Sequence, residues 1–476
     1  MTEAQRPDWR ALWASGSLGR FCFVSLGILL HATNETMVAT IMPAMVNELS
    51  GVELVGWSLA IYELGAIVAG AAAGRMVSYV SLRANMATAA MIFATGAAIC
   101  ATAPSMPIFL AGRLVEGLGG GALVSLAFVS VERLFPKHIW PQLFGILSAV
   151  WGVAAFSGPL IGAFVSEYLN WRWAFGSFAL SACAMALLCF LVLTSPEATK
   201  RLRSSEPPPP FPLPVLLILG VAIAMIASAG VKVSPMRSGL LLGAGLATLA
   251  LFFWIDSRNR AAHLFPDRLF NWNTVLGNGM LMVAALSVAT CSLAVYGPLL
   301  LSILHDMPLL TTGWIIAAEA IAWSVMSIAV ANASPRQEPA IILLGAIMIA
   351  AGVAGFAYAI PNGSLLLILA CAILQGGGFG IAWPFVTRII ISDAPEGQST
   401  LASSAVPTMQ RIGYATGAAL TGIVANFAGF SNGLSRETAS AVAPWVFLAF
   451  LPLALFGVFA AFRIAARGFA NRSEAT

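Results

Sequence analysis

Long apolar runs make up nearly the whole chain, broken at intervals by short clusters of charge, Pro and Gly. None of them alternates polar and apolar positions over the about 10 residues that a strand of a membrane barrel needs. Most reach the about 20 residues that carry one helix across the hydrocarbon of a bilayer. Backbone groups inside lipid must be satisfied within their own segment, so each run is predicted to be a helix. Fourteen spans follow, at 20–46, 55–77, 84–104, 106–131, 140–166, 173–194, 213–231, 238–255, 273–303, 311–332, 339–360, 364–388, 399–429 and 441–464.

Composition removes the soluble alternative. Of 476 residues, 59% are hydrophobic and 9% charged, and the mean hydropathy is +0.88. A soluble protein carries about 25% charged residues to cover its surface. The net charge of +4 has no basic tract of the kind that binds nucleic acid, and its placement carries more information than its size. Eighteen of the 24 Lys and Arg fall on the tails, the even-numbered loops or the span ends that border them, among them Arg75, Arg83, Arg133, Lys137, Arg258, Arg268 and Arg467. Four fall on odd loops (Arg172, Lys232, Arg237, Arg436) and two, Arg113 and Arg411, inside spans. That asymmetry predicts an even number of spans in a plasma (bacterial inner) membrane, with both termini cytoplasmic. Arg6, Arg10 and Arg20 precede the apolar run from Phe21 much as in a signal peptide, but the run is long and many spans follow it, so it is expected to stay as span one. The six cysteines show no CxxC spacing, and neither a metal site nor a disulfide framework is expected.

Four consecutive prolines, Pro207–Pro210, favour an extended spacer. The expected organisation is a six-helix half at 1–194, a Pro-rich cytoplasmic linker at 195–212, an inserted helix pair with its loop at 213–272, a second six-helix half at 273–465 and a tail at 466–476. A repeat supports the two halves. At a gapless offset of 259, Glu116–Gly121 falls on Gln375–Gly380, Leu114-Val115 on Ile373-Leu374, and Gly158 on Gly417. Spans four and five then correspond to twelve and thirteen, a shift of eight, as 6 + 2 + 6 requires. Repeated halves are a common design of secondary transporters.

Ionisable groups inside spans cost about 2.5–3.5 kcal/mol each even on an insertion scale, so they are candidates for function. They are Glu35, Glu63, Arg113, Glu116, Glu319 and Arg411. Glu35 is mid-span with His31 one turn earlier, and is the leading candidate to exchange a proton. Arg113 and Glu116 are i,i+3 partners, spaced to form a buried ion pair that locks span four. Glu63, Glu319 and Arg411, with the aromatic residues Trp151, Phe156, Tyr296, Trp323, Trp383 and Tyr414, are candidates to bind substrate. Paired glycines such as Gly158/Gly162 and Gly413/Gly417 suit close helix contacts, and Pro159 removes a donor inside span five. Only three lysines exist and none follows Gly, so no P-loop is present and the chain does not drive transport with ATP. No cofactor motif, HExxH or nucleophile elbow appears.

These motifs resemble the major facilitator superfamily, and within it the fourteen-span drug:proton antiporters. Asn34-Glu35-Thr36-Met37-Val38 through Pro43 is similar to the family's D-x-T-x-V…P, with Asn34 where the Asp stands and Glu35 following. Arg113 through Gly117 resembles R-x-x-Q-G, with Glu116 in place of Gln. Gly152, Gly158, Pro159 and Gly162 match the antiporter motif G-x(5)-G-P-x-x-G. Gly74, Arg75 and Arg83 belong to a loop motif like G-x-L-x-D-R-x-G-R, in which Ser78 replaces the Asp. Trp171 through Phe175 and the stretch 256–270 are also similar. The resemblance implies an all-α major facilitator fold and proton-coupled antiport by alternating access, with Arg113 inheriting a role in coupling. The expected partners are protons, a small hydrophobic or cationic substrate and the lipid bilayer, with the chain acting as a monomer. Export of an endogenous anionic metabolite, siderophore or lipid, and a non-transporting receptor, stay open as alternatives.

Overall fold

The computed structural model describes residues 17–77, 79–136, 139–199, 212–231, 233–259, 263–334 and 336–473. Most of the predicted linker, including Lys200, Arg201, Arg203 and Pro207–Pro210, lies outside them, as do Arg6, Arg10, Ser78, Lys137 and Lys232.

Every predicted span coincides with helix. The elements are α1 (Ser17–Leu49), α2 (Val55–Met76), α3 (Leu82–Thr102), α4 (Met106–Leu134), α5 (Trp140–Tyr168), α6 (Trp171–Val192), α7 (Leu213–Ala229), α8 (Pro235–Arg258), α9 (Val275–His305), α10 (Leu309–Ala329), α11 (Glu338–Asn362), α12 (Leu365–Ser392), α13 (Ser399–Ala428), α14 (Arg436–Leu448) and α15 (Leu451–Ser473). The last predicted span is two helices, because the chain turns at Ala449 and Phe450. Among the described residues, twelve segments, α14 and α15 counted as one, are long and apolar enough to cross a membrane. The helix α7 falls short with 17 residues, about 25 Å of helix. The helix α13, with polar side chains such as Gln410, Arg411 and Asn426, is not among the twelve.

Side-chain caps explain where several helices begin. Ser81, Asn170, Ser234, Thr274 and Ser364 each accept a hydrogen bond from a first-turn amide, and Ser435 forms a capping box with Thr438. Between α1 and α2, Ser50 and Gly51 are left-handed (φ 57° and 91°), which reverses the chain in two residues. Arg172, just inside α6, donates to the carbonyls of Ala101 (3.1 Å) and Ala103 (2.8 Å) at the end of α3, giving the Trp-Arg-Trp stretch a structural task.

The chain forms two compact units. One comprises the described residues within Met1–Val38 and Leu64–Phe211, the other those within Ala39–Glu63 and Pro212–Thr476. Within the first, α3 packs on α4 and α6; within the second, α11 packs on α12 and α15, α9 on α13, and α7 on α8.

The repeat seen in sequence is present in the packing of each unit. A side chain at Gly96 of α3 would collide with the backbone of Glu116, and one at Gly352 of α11 would meet Gln375. Gly119 abuts Phe93 as Gly378 abuts Ile349, and Gly121 abuts Ala66 as Gly380 abuts Trp323. Gly158 of α5 rests on Thr33 and Thr36 of α1; Gly417 of α13 rests on Val288 and Cys291 of α9. Five helices therefore correspond, α1–α5 to α9–α13, with offsets between 255 and 259 that differ only through loop length. Each glycine lets two helix backbones approach where a Cβ would hold them apart.

Gly96→Ala is expected to lower the melting temperature in detergent, at a cost of about 1–3 kcal/mol from overpacking against α4. Gly239→Ala on α8, where an added Cβ meets nothing within 4 Å, is the control and should leave stability equal or slightly higher. Equal effects of the two substitutions would contradict the role given to the α3–α4 contact.

Candidate functional site: a buried charge triad and a carboxylate beside aromatic rings

In the first unit, α1 and α4 meet through three side chains that are entirely buried. Arg113 Nη1 donates to Glu116 Oε2 (2.6 Å) and to Asn34 Oδ1 (2.7 Å), while Asn34 Nδ2 donates to Glu116 Oε1 (2.8 Å). The i,i+3 spacing on α4 places Arg113 and Glu116 on one face, and the amide of Asn34 supplies both a donor and an acceptor. The ring is closed: one cation, one anion and one neutral group that bonds to both. Cys100 Sγ lies 4.0 Å from Glu116 Oε2.

Glu35 is placed differently. It is 14% exposed and pairs with His31 Nε2 at 3.2 Å. The His31 ring meets Trp151 edge-on at 5.7 Å. Asn34, one residue earlier, takes the position that faces α4. The Gly152–Gly162 stretch lies beside this pair of helices: Thr36 Oγ1 donates to the carbonyl of Ala154 (3.2 Å), and Gly158 receives Thr33 and Thr36 of α1. Pro159 and Gly162 are buried, Gly152 and Phe156 half-buried, and α5 continues through Pro159.

The repeat supplies an internal comparison. Carried over by the offsets of the packing, Asn34, Arg113 and Glu116 correspond to Ala289, Ala372 and Gln375. The same helix contacts are thus built in the second unit with no charge at any of the three positions.

Gln375 instead turns to α10, where its Nε2 donates to Glu319 Oε1 (2.7 Å). No Lys or Arg pairs with Glu319 among the described residues. One turn on, Trp323 stacks on Phe379 (4.9 Å, 7°), and Trp383 closes on both at 6.2 and 5.0 Å. Glu319 and Trp323 are i,i+4 on α10; Gln375, Phe379 and Trp383 recur every four residues on α12. The result is a half-buried carboxylate beside a wall of three rings.

Also in the second unit, Arg411 Nη1 donates to Glu63 Oε2 at 2.8 Å; Glu63 is fully buried and Arg411 18% exposed. Gln410 Nε2 donates to the hydroxyl of Tyr414 (3.0 Å). Tyr296 is fully buried, its ring 5.6 Å from Phe430, which places it in packed interior. Of the loop motif, Arg83 lies over the Phe190 ring at 5.4 Å, while the side-chain positions 74 and 75 fall outside the description. Asn34, Gln375 and Phe379 are the partners that residue type alone did not single out. The signal for Asn34 was its place in the D-x-T pattern, and for Phe379 its helical spacing from Trp383.

A helical chain with twelve segments fit to cross a membrane, repeated packing in two units and charge held in its interior has the make-up of a secondary membrane transporter. The chain belongs to the Major Facilitator Superfamily, whose sequence profile it matches over residues 24–418. It is 30% identical to a probable multidrug-efflux transporter of Mycobacterium tuberculosis, over 97% of each chain. A bacterial homologue of the human lysosomal transporter Spinster, solved inward-facing and unoccupied, shares the fold with a TM-score of 0.63 at 15% identity, covering 96% of this chain and 98% of that one. The xylose transporter XylE from E. coli, solved inward-open, gives 0.60 at 18%, covering 94% of each. The protein is a multi-pass membrane transporter and not an enzyme.

Arg113→Met leaves Glu116 as a buried charge without its cation and should cost about 3–5 kcal/mol in unfolding experiments. The double variant Arg113→Met/Glu116→Leu should recover most of that loss, because an apolar pair of similar size fills the same space. A double variant no more stable than Arg113→Met alone would show that the ion pair is needed for the fold.

Proposed function

We propose that this transporter is a proton-coupled exporter of small hydrophobic or cationic compounds, working by alternating access. The observation that carries this is the triad. The helix packing repeats without any of its charges, so Arg113 and Glu116 are retained for something other than packing. A proton taken up by Glu116 removes the negative charge facing Arg113, and a buried cation without its counter-ion is costly. The triad must then rearrange, which links proton uptake to movement of α1 against α4. Glu35, paired with His31 on the more open side of α1, is the second candidate to exchange the proton.

For the substrate, Glu319 with Trp323, Phe379 and Trp383 offers negative charge and ring faces together, the combination that attracts lipophilic cations. The Mycobacterium relative named for multidrug efflux supports the export direction. Arg411 gives no support to an anionic substrate, because Glu63 already neutralises it. We further propose that α7 and α13 cross the membrane as well, giving fourteen spans in a 6 + 2 + 6 arrangement with the domain limits expected from sequence, cytoplasmic termini and a bacterial inner-membrane location.

In proteoliposomes, an imposed pH gradient should drive uptake of a fluorescent lipophilic cation, and Glu116→Gln should abolish the gradient dependence. Glu319→Gln should weaken binding of the cation about fivefold or more while sparing an uncharged analogue. Gradient-driven transport that persists in Glu116→Gln but is lost in Glu35→Gln would place coupling at the His31–Glu35 pair. Wild-type transport indifferent to the gradient would remove proton coupling altogether.

A further inference from the structure

Between α3 and α6 the first unit carries an open apolar groove of about 640 Å³. Its α3 side is formed by residues spaced three or four apart, from Ala84 through Ala87 and Thr88 to Thr95. At 1.5 Å per residue it runs for about 16 Å along the helix. That is about half of a 30 Å hydrocarbon core, the depth of one leaflet. Ala84, Ala87, Thr88 and Thr95 keep the α3 side low, Met91 and Ile92 stand along it, and Leu187 and Phe190 of α6, both exposed, form the opposite wall.

One end of this trough is charged. Arg83, in the first turn of α3, holds its guanidinium carbon 5.4 Å from the centre of the Phe190 ring. No carboxylate pairs with Arg83 among the described residues, and its buried Nε has no hydrogen-bond partner there. A planar guanidinium is well matched to phosphate oxygens, and helix ends in a membrane lie at headgroup level. An apolar trough one leaflet deep that ends on an arginine with no counter-ion among the described residues fits the shape and complements the charge of a single anionic lipid.

We propose that the α3–α6 groove binds one anionic phospholipid, with an acyl chain along α3 and the phosphate on Arg83. This site is independent of the exported substrate and of proton coupling, and it stands if either of those fails. It gives the chain a defined lipid partner at the start of α3, the helix that also holds Gly96 against Glu116.

The test is native mass spectrometry of the delipidated full-length protein titrated with phosphatidylglycerol or chain-matched phosphatidylcholine. One phosphatidylglycerol should be retained about fivefold more tightly than phosphatidylcholine, the preference that one basic residue gives at a membrane surface. Arg83→Gln should equalise the two lipids, and Thr88→Trp, which fills the trough, should lose both. Equal retention by the wild type, or an unchanged preference in Arg83→Gln, overturns the assignment. Thr88→Trp is judged only if it elutes and melts like the wild type. In the unaltered protein, Cys183 lines the same groove and is exposed, as is Cys22 on α1. Alkylation of Cys183, followed by peptide mass spectrometry, should slow when phosphatidylglycerol is added while that of Cys22 does not. Cys183 that stays fully reactive at saturating lipid contradicts a chain in the groove.

Discussion

A charge carried into hydrocarbon must bring its partner with it, and the rest of this structure is arranged around one such partnership. Arg113, Glu116 and Asn34 bond to one another in a closed ring with no exposed surface. The ring forms only because helix backbones come close enough. Gly96 removes the side chain that would push α3 off Glu116, and Gly158 lets α5 settle on the α1 turn that carries Asn34. The small residues and the charges are therefore one design, with the glycines setting the distance at which the polar groups meet.

The repeat isolates what is particular to the triad. The second unit keeps the glycine contacts and replaces the triad with Ala289, Ala372 and Gln375. A buried ion pair is weak evidence for stability, since apolar residues of the same size often serve as well or better. Here the same chain contains an uncharged version of its own site. What the first unit gains from the charged version is a group that can change charge. In the second unit the polar chemistry has moved one helix over, to Glu319 beside three aromatic rings.

Much of the fold was legible because a membrane leaves few options: an apolar run of sufficient length has to be a helix. The break at Ala449–Phe450 was not legible, since apolar residues continue on both sides of it. The repeat was visible only at Glu116–Gly121 and Gly158, where the offset is constant; differing loop lengths shift α1 and α3 out of gapless register. At the site, residue types located the charges but not their partners. Glu35 and Asn34 are adjacent in sequence yet point to different neighbours, because 100° of helical turn separates them. Glu63 and Arg411 are 348 residues apart and meet through tertiary packing alone. Thirteen tryptophans offered many candidates for a ligand pocket, and ring contacts bring Trp323 and Trp383 together with Phe379, which composition did not suggest.

The most direct measurement is a count of protons released or taken up when a lipophilic cation is added to the purified, detergent-solubilised transporter in weakly buffered solution. If Glu116 is the group whose charge changes with transport, the wild type gives a pH-dependent proton signal and Glu116→Gln gives none, although it still binds the cation. The same proton signal from Glu116→Gln would show that the triad is a structural lock and that the coupling proton is carried elsewhere.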